Sequence, residues 1–263
     1  MSKFTDAKRI VVKIGTSTLT YDTGKFNLKR MEKLARVLSD LKNSGKEVIL
    51  VSSGAITAGI AKMGITHRPK TTAEKQATAA IGQCELMRMY ESFFEMYGYA
   101  VAQVLVSKEI VELEEMKTNA INTFKKLLEL NCIPIVNEND TVSSSEIEFG
   151  DNDSLSAYVS VLTNADVLVI LSDIDGLYST DPRKDPNAKL IPKVDEITDE
   201  IIGCAGGAGT ERGTGGVITK IHAAQISTEN GIPMYILNGS DPDILYDLLS
   251  GKERGTCFEA KKA

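Results

Sequence analysis

The chain has little of what several common functions require. Its 263 residues hold 30 lysines and arginines against 36 aspartates and glutamates, a formal charge of −6. That shortage of positive charge argues against a nucleic-acid binder acting through bulk electrostatics. No apolar run approaches the ~20 residues of a membrane span. The opening MSKFTDAKRIVVKIG has too short an apolar core for a secretory signal. Cys84, Cys132, Cys204 and Cys257 lie far apart with no C-x-x-C among them. Free thiols in a reducing cytoplasm are therefore expected, in place of disulfides or zinc. The only two histidines, His67 and His222, have neither triad nor metal spacing, and His222 reads as a surface or packing residue. Glycosylation sequons at Asn139, Asn152 and Asn238 mean nothing without a secretory signal. Internal repeats and low-complexity tracts are also missing.

What the chain does have is alternation. Short apolar runs (RIVVKIG, EVILVSSG, AVAQVLVS, CIPIVNEND, DVLVILSD, IPMYILNG) alternate with longer segments of helical period. That pattern predicts an α/β fold with a mostly parallel sheet covered on both faces. A first helix is expected from an Asn27 N-cap to Gly45, with Leu28, Met31, Leu34, Ala35, Leu38 and Leu41 as its apolar stripe. Further helices are expected over 55–63, 73–97, 118–130 and 154–162, then from the glycine-rich stretch to about 230 and over 242–249, with a last strand at GTCFEA. Met87, Met89, Phe93, Phe94 and Met96 read as core or subunit-contact residues, and EIVELEEM as a solvated helix face. A polar excursion with Pro182, Pro186 and Pro192 sets off a second part, so a single domain with two lobes, 1–171 and 172–263, is expected.

The stretch GAGTERGTGGVITK, residues 207–220, fits neither of two familiar phosphate motifs. Counted from Gly207 or Gly213, a G-x-G-x-x-G pattern meets Arg212 or Ile218 in place of its third glycine. Lys220 trails Gly216 by four residues, whereas a P-loop has its lysine directly after the second glycine. The strand ends are more informative. Lys13 and Gly15, then Ser52, Ser53 and Gly54, then Asn137 to Asp140, then Ser172 and Asp173 all fall at carboxyl ends of expected strands. Ligands bind there in open parallel sheets, so these residues describe one pocket. Lys13 inside an apolar strand is either an edge lysine reaching water or a phosphate ligand. KIGTST tips the balance, because Gly15 lets backbone N–H groups approach a phosphate and two hydroxyls follow.

In GDNDSLSA, one of Asp151, Asn152 and Asp153 suffices as an N-cap. The others are left to chelate magnesium, orient lysines or stay solvated. With NENDT, these polar groups suit an amino acid: carboxylates for its ammonium, amides and hydroxyls for its α-carboxylate. Asp173 is placed to take ribose hydroxyls and Tyr178 to line a base pocket. Lys220, at the start of a helix behind the glycines, suits β- and γ-phosphates. Phosphoryl transfer needs in-line positioning and positive charge around the migrating group, which lysines from two lobes with an acidic residue between them would supply.

At these residues the sequence resembles the glutamate-phosphorylating branch of the amino acid kinase family. VVKIGTSTLT, VSSGAITAG, KQATAAIGQ, IPIVNENDTV, EIEFGDNDSLSA, LSDIDGLYSTDPR and GTGGVITKIHAA occur in family order over essentially the whole chain. The resemblance implies a three-layer αβα sandwich around a mainly parallel sheet of about eight strands. It implies a glutamate-binding N-terminal lobe and an ATP-binding C-terminal lobe. The implied reaction is ATP-dependent phosphorylation of the γ-carboxylate of L-glutamate, the first step towards proline. Carried over, Lys13 and Lys220 are the phosphate-stabilising lysines and Asp153 organises them. Ser53, Asp140, Asn152 and Asn137 contact glutamate. Lys13, Ser172 and Asp173, with Thr214, Gly215, Gly216, Val217, Ile218, Thr219 and Lys220, form the ATP site. Gly15 and Gly54 give backbone donors to the phosphoryl group. Mg2+ would bridge the phosphates, with protein ligands unassigned.

The resemblance also implies a dimer or tetramer, feedback by proline, and hand-off of the labile acyl phosphate to glutamyl phosphate reductase. Ser172 stands where threonine is common, Val217-Ile218 where methionine often occurs, and the end after GTCFEA implies that no C-terminal PUA domain is present. The nearest rival in the family phosphorylates N-acetylglutamate, whose blocked amine would leave Asp140 without an ammonium. A non-catalytic amino-acid sensor would be marked by loss of Lys13 or Lys220, and both are here.

Overall fold

The computed structural model describes residues 3–107, 109–142, 152–204 and 216–261. They form, in order, α1 (Lys3–Asp6), β1 (Arg9–Ile14), α2 (Thr16–Leu19), α3 (Leu28–Asn43), β2 (Glu47–Val51), α4 (Ala55–Met63), α5 (Thr72–Glu95) and β3 (Val101–Val106). Then come α6 (Glu109–Glu112), α7 (Glu114–Glu129), β4 (Ile133–Glu138), α8 (Asn152–Leu162), β5 (Val167–Ser172) and β6 (Lys193–Val194). The chain continues through α9 (Asp199–Gly203), α10 (Val217–Glu229), β7 (Met234–Asn238), α11 (Ile244–Leu249) and β8 (Thr256–Phe258).

The strands join in one eight-stranded sheet of order β3-β4-β2-β1-β5-β7-β8-β6. The pairings are parallel except that of β7 with β8. β1 pairs with β2 on one side, Lys13 opposite Val51, and with β5 on the other, Lys13 opposite Ile170. The connections therefore diverge at β1, where an open α/β sheet forms its ligand crevice.

Both faces are covered, as the Val- and Ile-rich strands demand. Ile10, Val12 and Ile14 of β1 pack with Leu34 and Leu38 of α3 and Leu86 and Tyr90 of α5. Val11 belongs to the opposite core with Phe124 of α7, Leu155 of α8 and Ile221 of α10. Successive strand residues face opposite ways, so Lys13 shares the Val11 side and is aimed into the layer of α8 and α10.

The helices carry the expected signals. Asn27 Oδ1 accepts from the Arg30 backbone N–H at 3.0 Å, capping α3. Thr71 and Glu74 form a reciprocal capping box on α5. α4 and α5 approach through glycines: a Cβ on Gly82 would lie 1.8 Å from the Ala55 carbonyl oxygen, and one on Gly59 2.1 Å from that of Thr78.

Some local expectations need correction. Leu28, at the first turn of α3, is exposed and stands outside the core; Met96, just after α5, is exposed too, which leaves the subunit-contact half of its expectation. The acidic segment forms α6 and the start of α7, four residues ahead of the expected helix; carboxylates in a first turn are favoured by the helix dipole. The polar excursion contains β6 and α9, and KIGTST is the end of β1 followed by the single turn α2.

Candidate functional site

At the carboxyl end of β1, two ammonium groups rest on one carboxylate. Lys13 Nζ lies 2.5 Å from Asp153 Oδ1, and Lys220 Nζ 3.1 Å from Asp153 Oδ2. Thr219 Oγ1 lies 2.9 Å from the same Oδ2 and 2.8 Å from the Gly216 carbonyl oxygen. Asp153 is fully buried, and the two lysines are nearly so. Burial alone would push the Asp153 carboxyl up, but the charges of Lys13 and Lys220 outweigh it and hold the group well below the usual carboxylate range. The trio keeps one positive charge in excess, aimed at the crevice. The local reasons are plain: strand alternation turns Lys13 inward, α8 begins at Asn152 so that Asp153 sits in its first turn, and Lys220 closes the first turn of α10.

One flank is built by β2 and β4. Asn152 Nδ2 lies 2.8 Å from the Ser52 carbonyl oxygen, 2.8 Å from Ser53 Oγ and 2.9 Å from Asn137 Oδ1. Its two hydrogens are spent on three acceptors, so what Asn152 has left for a ligand is Oδ1, an acceptor. This narrows the expectation that amides here would donate to a carboxylate. Ser53 Oγ accepts from Asn152 and keeps its own proton to give. Ser52 Oγ and Tyr90 OH, both buried, are 2.7 Å apart, fixing the end of β2 from α5. Asp140 follows β4, half-buried.

Glycines complete this end of the crevice. Gly54 has φ +102, open to glycine but costly for other residues, and heads α4 without a side-chain cap. The first N–H groups of α4 are thus left for water or an anion. A Cβ on Gly15 would lie 3.5 Å from Lys13 Nζ, and one on Gly54 3.9 Å from Thr16 Oγ1. The Gly15 turn therefore opens beside the Lys13 ammonium, and the Gly54 turn beside Phe26 and Thr16.

On the other flank a cavity of about 430 Å³ is lined by Ser172, Asp173, Tyr178, Gly216, Val217 and Lys220 among others. Ser172 Oγ donates to Asp173 Oδ1 at 3.1 Å. Ile218 is exposed and Thr219 is turned to Asp153, so neither of these two expected ATP contacts lines the cavity. Thr214 and Gly215 lie outside the described residues, as does Asp151. Asn238, Arg183 and Cys204 also line the cavity and were not singled out from sequence. Asn238, closing β7, carried the same signal as the other strand ends. Nothing in the sequence pointed to Cys204. His222 is exposed, its Nδ1 3.2 Å from Ser154 Oγ.

A metal ion finds little here. Among the described residues, histidine, cysteine, aspartate and glutamate nowhere gather in threes as metal ligands. The central carboxylate, Asp153, is already held by two lysines. These side chains do not make a metal cage.

Buried paired cations at the switch point, polar groups on one side and a nucleotide-sized cavity on the other define a phosphotransferase site. The sequence signature of the amino acid kinase family matches residues 8–238, and the chain belongs to that family. It is 58% identical over 261 residues to the glutamate 5-kinase of Clostridium perfringens (strain 13 / Type A), covering 98% of this chain and 97% of that one. With the glutamate 5-kinase of Clostridium tetani (strain Massachusetts / E88) the identity is 54% over 257 residues, covering 98% and 96%. Among solved structures, the isopentenyl phosphate kinase of T. acidophilum in its product complex superposes with a TM-score of 0.67 at 18% identity, covering 95% of this chain and 100% of that one. That likeness speaks for the fold.

Proposed function

We infer that the chain is an ATP-dependent glutamate 5-kinase, transferring the γ-phosphoryl group of ATP to the γ-carboxylate of L-glutamate in the first step of proline biosynthesis. The observation that carries the mechanism is the Lys13–Asp153–Lys220 trio between the two flanks. A glutamate side chain, pKa ≈ 4.3 when unperturbed, is ionised at neutral pH. The reaction therefore needs no general base. A γ-carboxylate oxygen attacks the γ-phosphorus, the new O–P bond forms, and the bond to the β,γ-bridging oxygen breaks with its electron pair leaving on ADP. Asp153, kept ionised, holds the two ammonium groups in place, Lys13 on the acceptor side and Lys220 on the nucleotide side. The charge they neutralise is greatest as the phosphoryl group passes between them. N–H groups at Gly15 and Gly54 would donate to it.

Residues up to 171 supply the acceptor flank: Ser53, Asn137 and Asn152, with Asp140 for the free ammonium. Residues from 172 supply the nucleotide flank. Magnesium would enter with ATP on its phosphate oxygens and water; it would neutralise phosphate charge when bound.

The decisive assay traps the acyl phosphate with hydroxylamine, comparing glutamate, N-acetylglutamate and aspartate. Turnover with glutamate alone is expected. Preference for N-acetylglutamate would assign the rival activity.

The same reading carries finer expectations. Proline, a cyclised analogue of the substrate, would compete at the acceptor flank, and activity indifferent to added proline would end that idea. The acyl phosphate hydrolyses readily, which favours hand-off to glutamyl phosphate reductase, measurable as channelling in a coupled assay. Exposed Ile81 on α5 and Met96 just after it suit subunit association, which light scattering would read. No helix among the described residues is long and apolar enough to cross a membrane, and the four free thiols suit a cytoplasmic location.

A further inference from the structure

Four amides from four separate elements form one chain behind the acceptor flank. Asn152 Nδ2 of α8 donates to Asn137 Oδ1 of β4 at 2.9 Å. Asn137 Nδ2 donates to Gln83 Oε1 of α5 at 2.9 Å, and Gln83 Nε2 donates to Gln103 Oε1 of β3 at 3.2 Å. Every link runs in the same direction. At Asn137 and Asn152 a backbone group agrees with that direction, since it cannot exchange donor for acceptor. The Glu138 N–H faces Asn137 Oδ1 at 3.0 Å, and the Ser52 carbonyl faces Asn152 Nδ2 at 2.8 Å. Asn137 and Gln83 are both buried, so an amide turned the wrong way there would leave a polar group unpaired.

We propose that Gln83 is a positioning residue for acceptor recognition: its Oε1 holds Asn137 Nδ2, which turns Asn137 Oδ1 onto Asn152 and leaves Asn152 Oδ1 as the acceptor offered to the substrate's ammonium. Among the described residues Asn152 Oδ1 has no hydrogen-bond partner. Gln83 stands behind Asn137, not at the reacting atoms, and acts only through this relay. Remove its oxygen and Asn137 Nδ2 is buried without a partner. The amide then rotates to find one and lets Asn152 go. The nucleotide cavity lies across Lys220 and shares no residue with the relay. The inference rests on glutamate being the acceptor.

The test is steady-state kinetics on Gln83→Met, which keeps the bulk and loses the amide, beside Gln83→Glu, which keeps an oxygen facing Asn137. Gln103 is exposed and is free to turn its amide nitrogen towards the new carboxylate. Q83M is expected to raise the glutamate KM about tenfold, the worth of one lost buried hydrogen bond. Its kcat should stay within about threefold and its ATP KM unchanged. Q83E is expected to bring the glutamate KM back to within about threefold of the parent. An unmoved glutamate KM in Q83M, a Q83E as impaired as Q83M, or both KM values rising together would each overturn the proposal. Should Q83M fail to fold, Gln83→Asn takes its place, with an amide too short to reach Asn137 and the same outcomes. The parent protein is assayed first. No hydroxylamine-trapped product from glutamate overturns the functional reading and this inference with it; an active parent with unmoved variants overturns the inference alone.

Discussion

Replacing Lys13 with methionine separates catalysis from stability. The lysine side chain is almost fully buried between β1 and α8, its ammonium 2.5 Å from Asp153 Oδ1. Methionine has a similar length and no charge to desolvate. Asp153 would keep a cation, because Lys220 and Thr219 still reach Oδ2 at 3.1 and 2.9 Å, while Oδ1 gives up its ammonium. No buried charge is stranded, so the change in unfolding free energy should stay within about 2 kcal/mol, below the 3–5 kcal/mol of a broken buried pair. Transfer loses one of its two ammonium groups. A single oriented donor of this kind is worth ~10²–10³ in kcat, about 2.7–4 kcal/mol of barrier. The measurement pairs hydroxylamine-trapped product formation with urea unfolding of the same preparation. A kcat within tenfold of the parent would refute the reasoning. So would a loss of activity that merely tracked loss of fold.

Lys220→Met should cut kcat by a similar ~10²–10³ and also raise the ATP KM, since Lys220 lines the nucleotide cavity; an unchanged ATP KM removes it from that wall. Asp153→Asn strands two buried ammonium groups and should lower stability by about 3–5 kcal/mol without ligand, with ATP raising the melting temperature more than in the parent; equal ligand shifts would count against it. Because the folded-state pKa of Asp153 is depressed, its contribution is fully present above the unfolded value near 3.9 and fades as pH falls through the folded value. The stability gap between parent and D153N should therefore narrow as pH falls below about 4, and a gap that stayed constant from about pH 5 down to about pH 2 would contradict the assignment. Gly82→Ala places a methyl against the Ala55 carbonyl and should cost about 1–3 kcal/mol; a neutral result would show that α4 and α5 slide apart freely.

The sequence disclosed what depends on local period and chain punctuation. Lys13 stood out because four apolar neighbours made it expensive, and strand alternation alone predicts which layer it enters. Asn27 announced α3 by its capping chemistry. The strand-end residues pointed to one crevice before any strand order was known. What stayed hidden depends on contacts between distant positions. Gln83, Gln103, Asn137 and Asn152 have no mutual spacing in the chain, and only the sheet brings them together. β6, two residues long, has no period to detect, and it exists because β8 offers it an edge. The spent donors of Asn152 could not be foreseen either, since a sequence gives an amide's identity but not the direction it faces.

β1 is hydrogen-bonded to β2 on one edge and to β5 on the other. The groups proposed to choose the acceptor lie to one side of this strand, and those proposed to face the nucleotide lie to the other. On that proposal, a substitution at Ser53, Asn137 or Asn152 is expected to alter acceptor choice and leave the opposite half untouched. The architecture is thus modular about a single strand: one half can be retuned to new substrates while the other keeps the same phosphate donor.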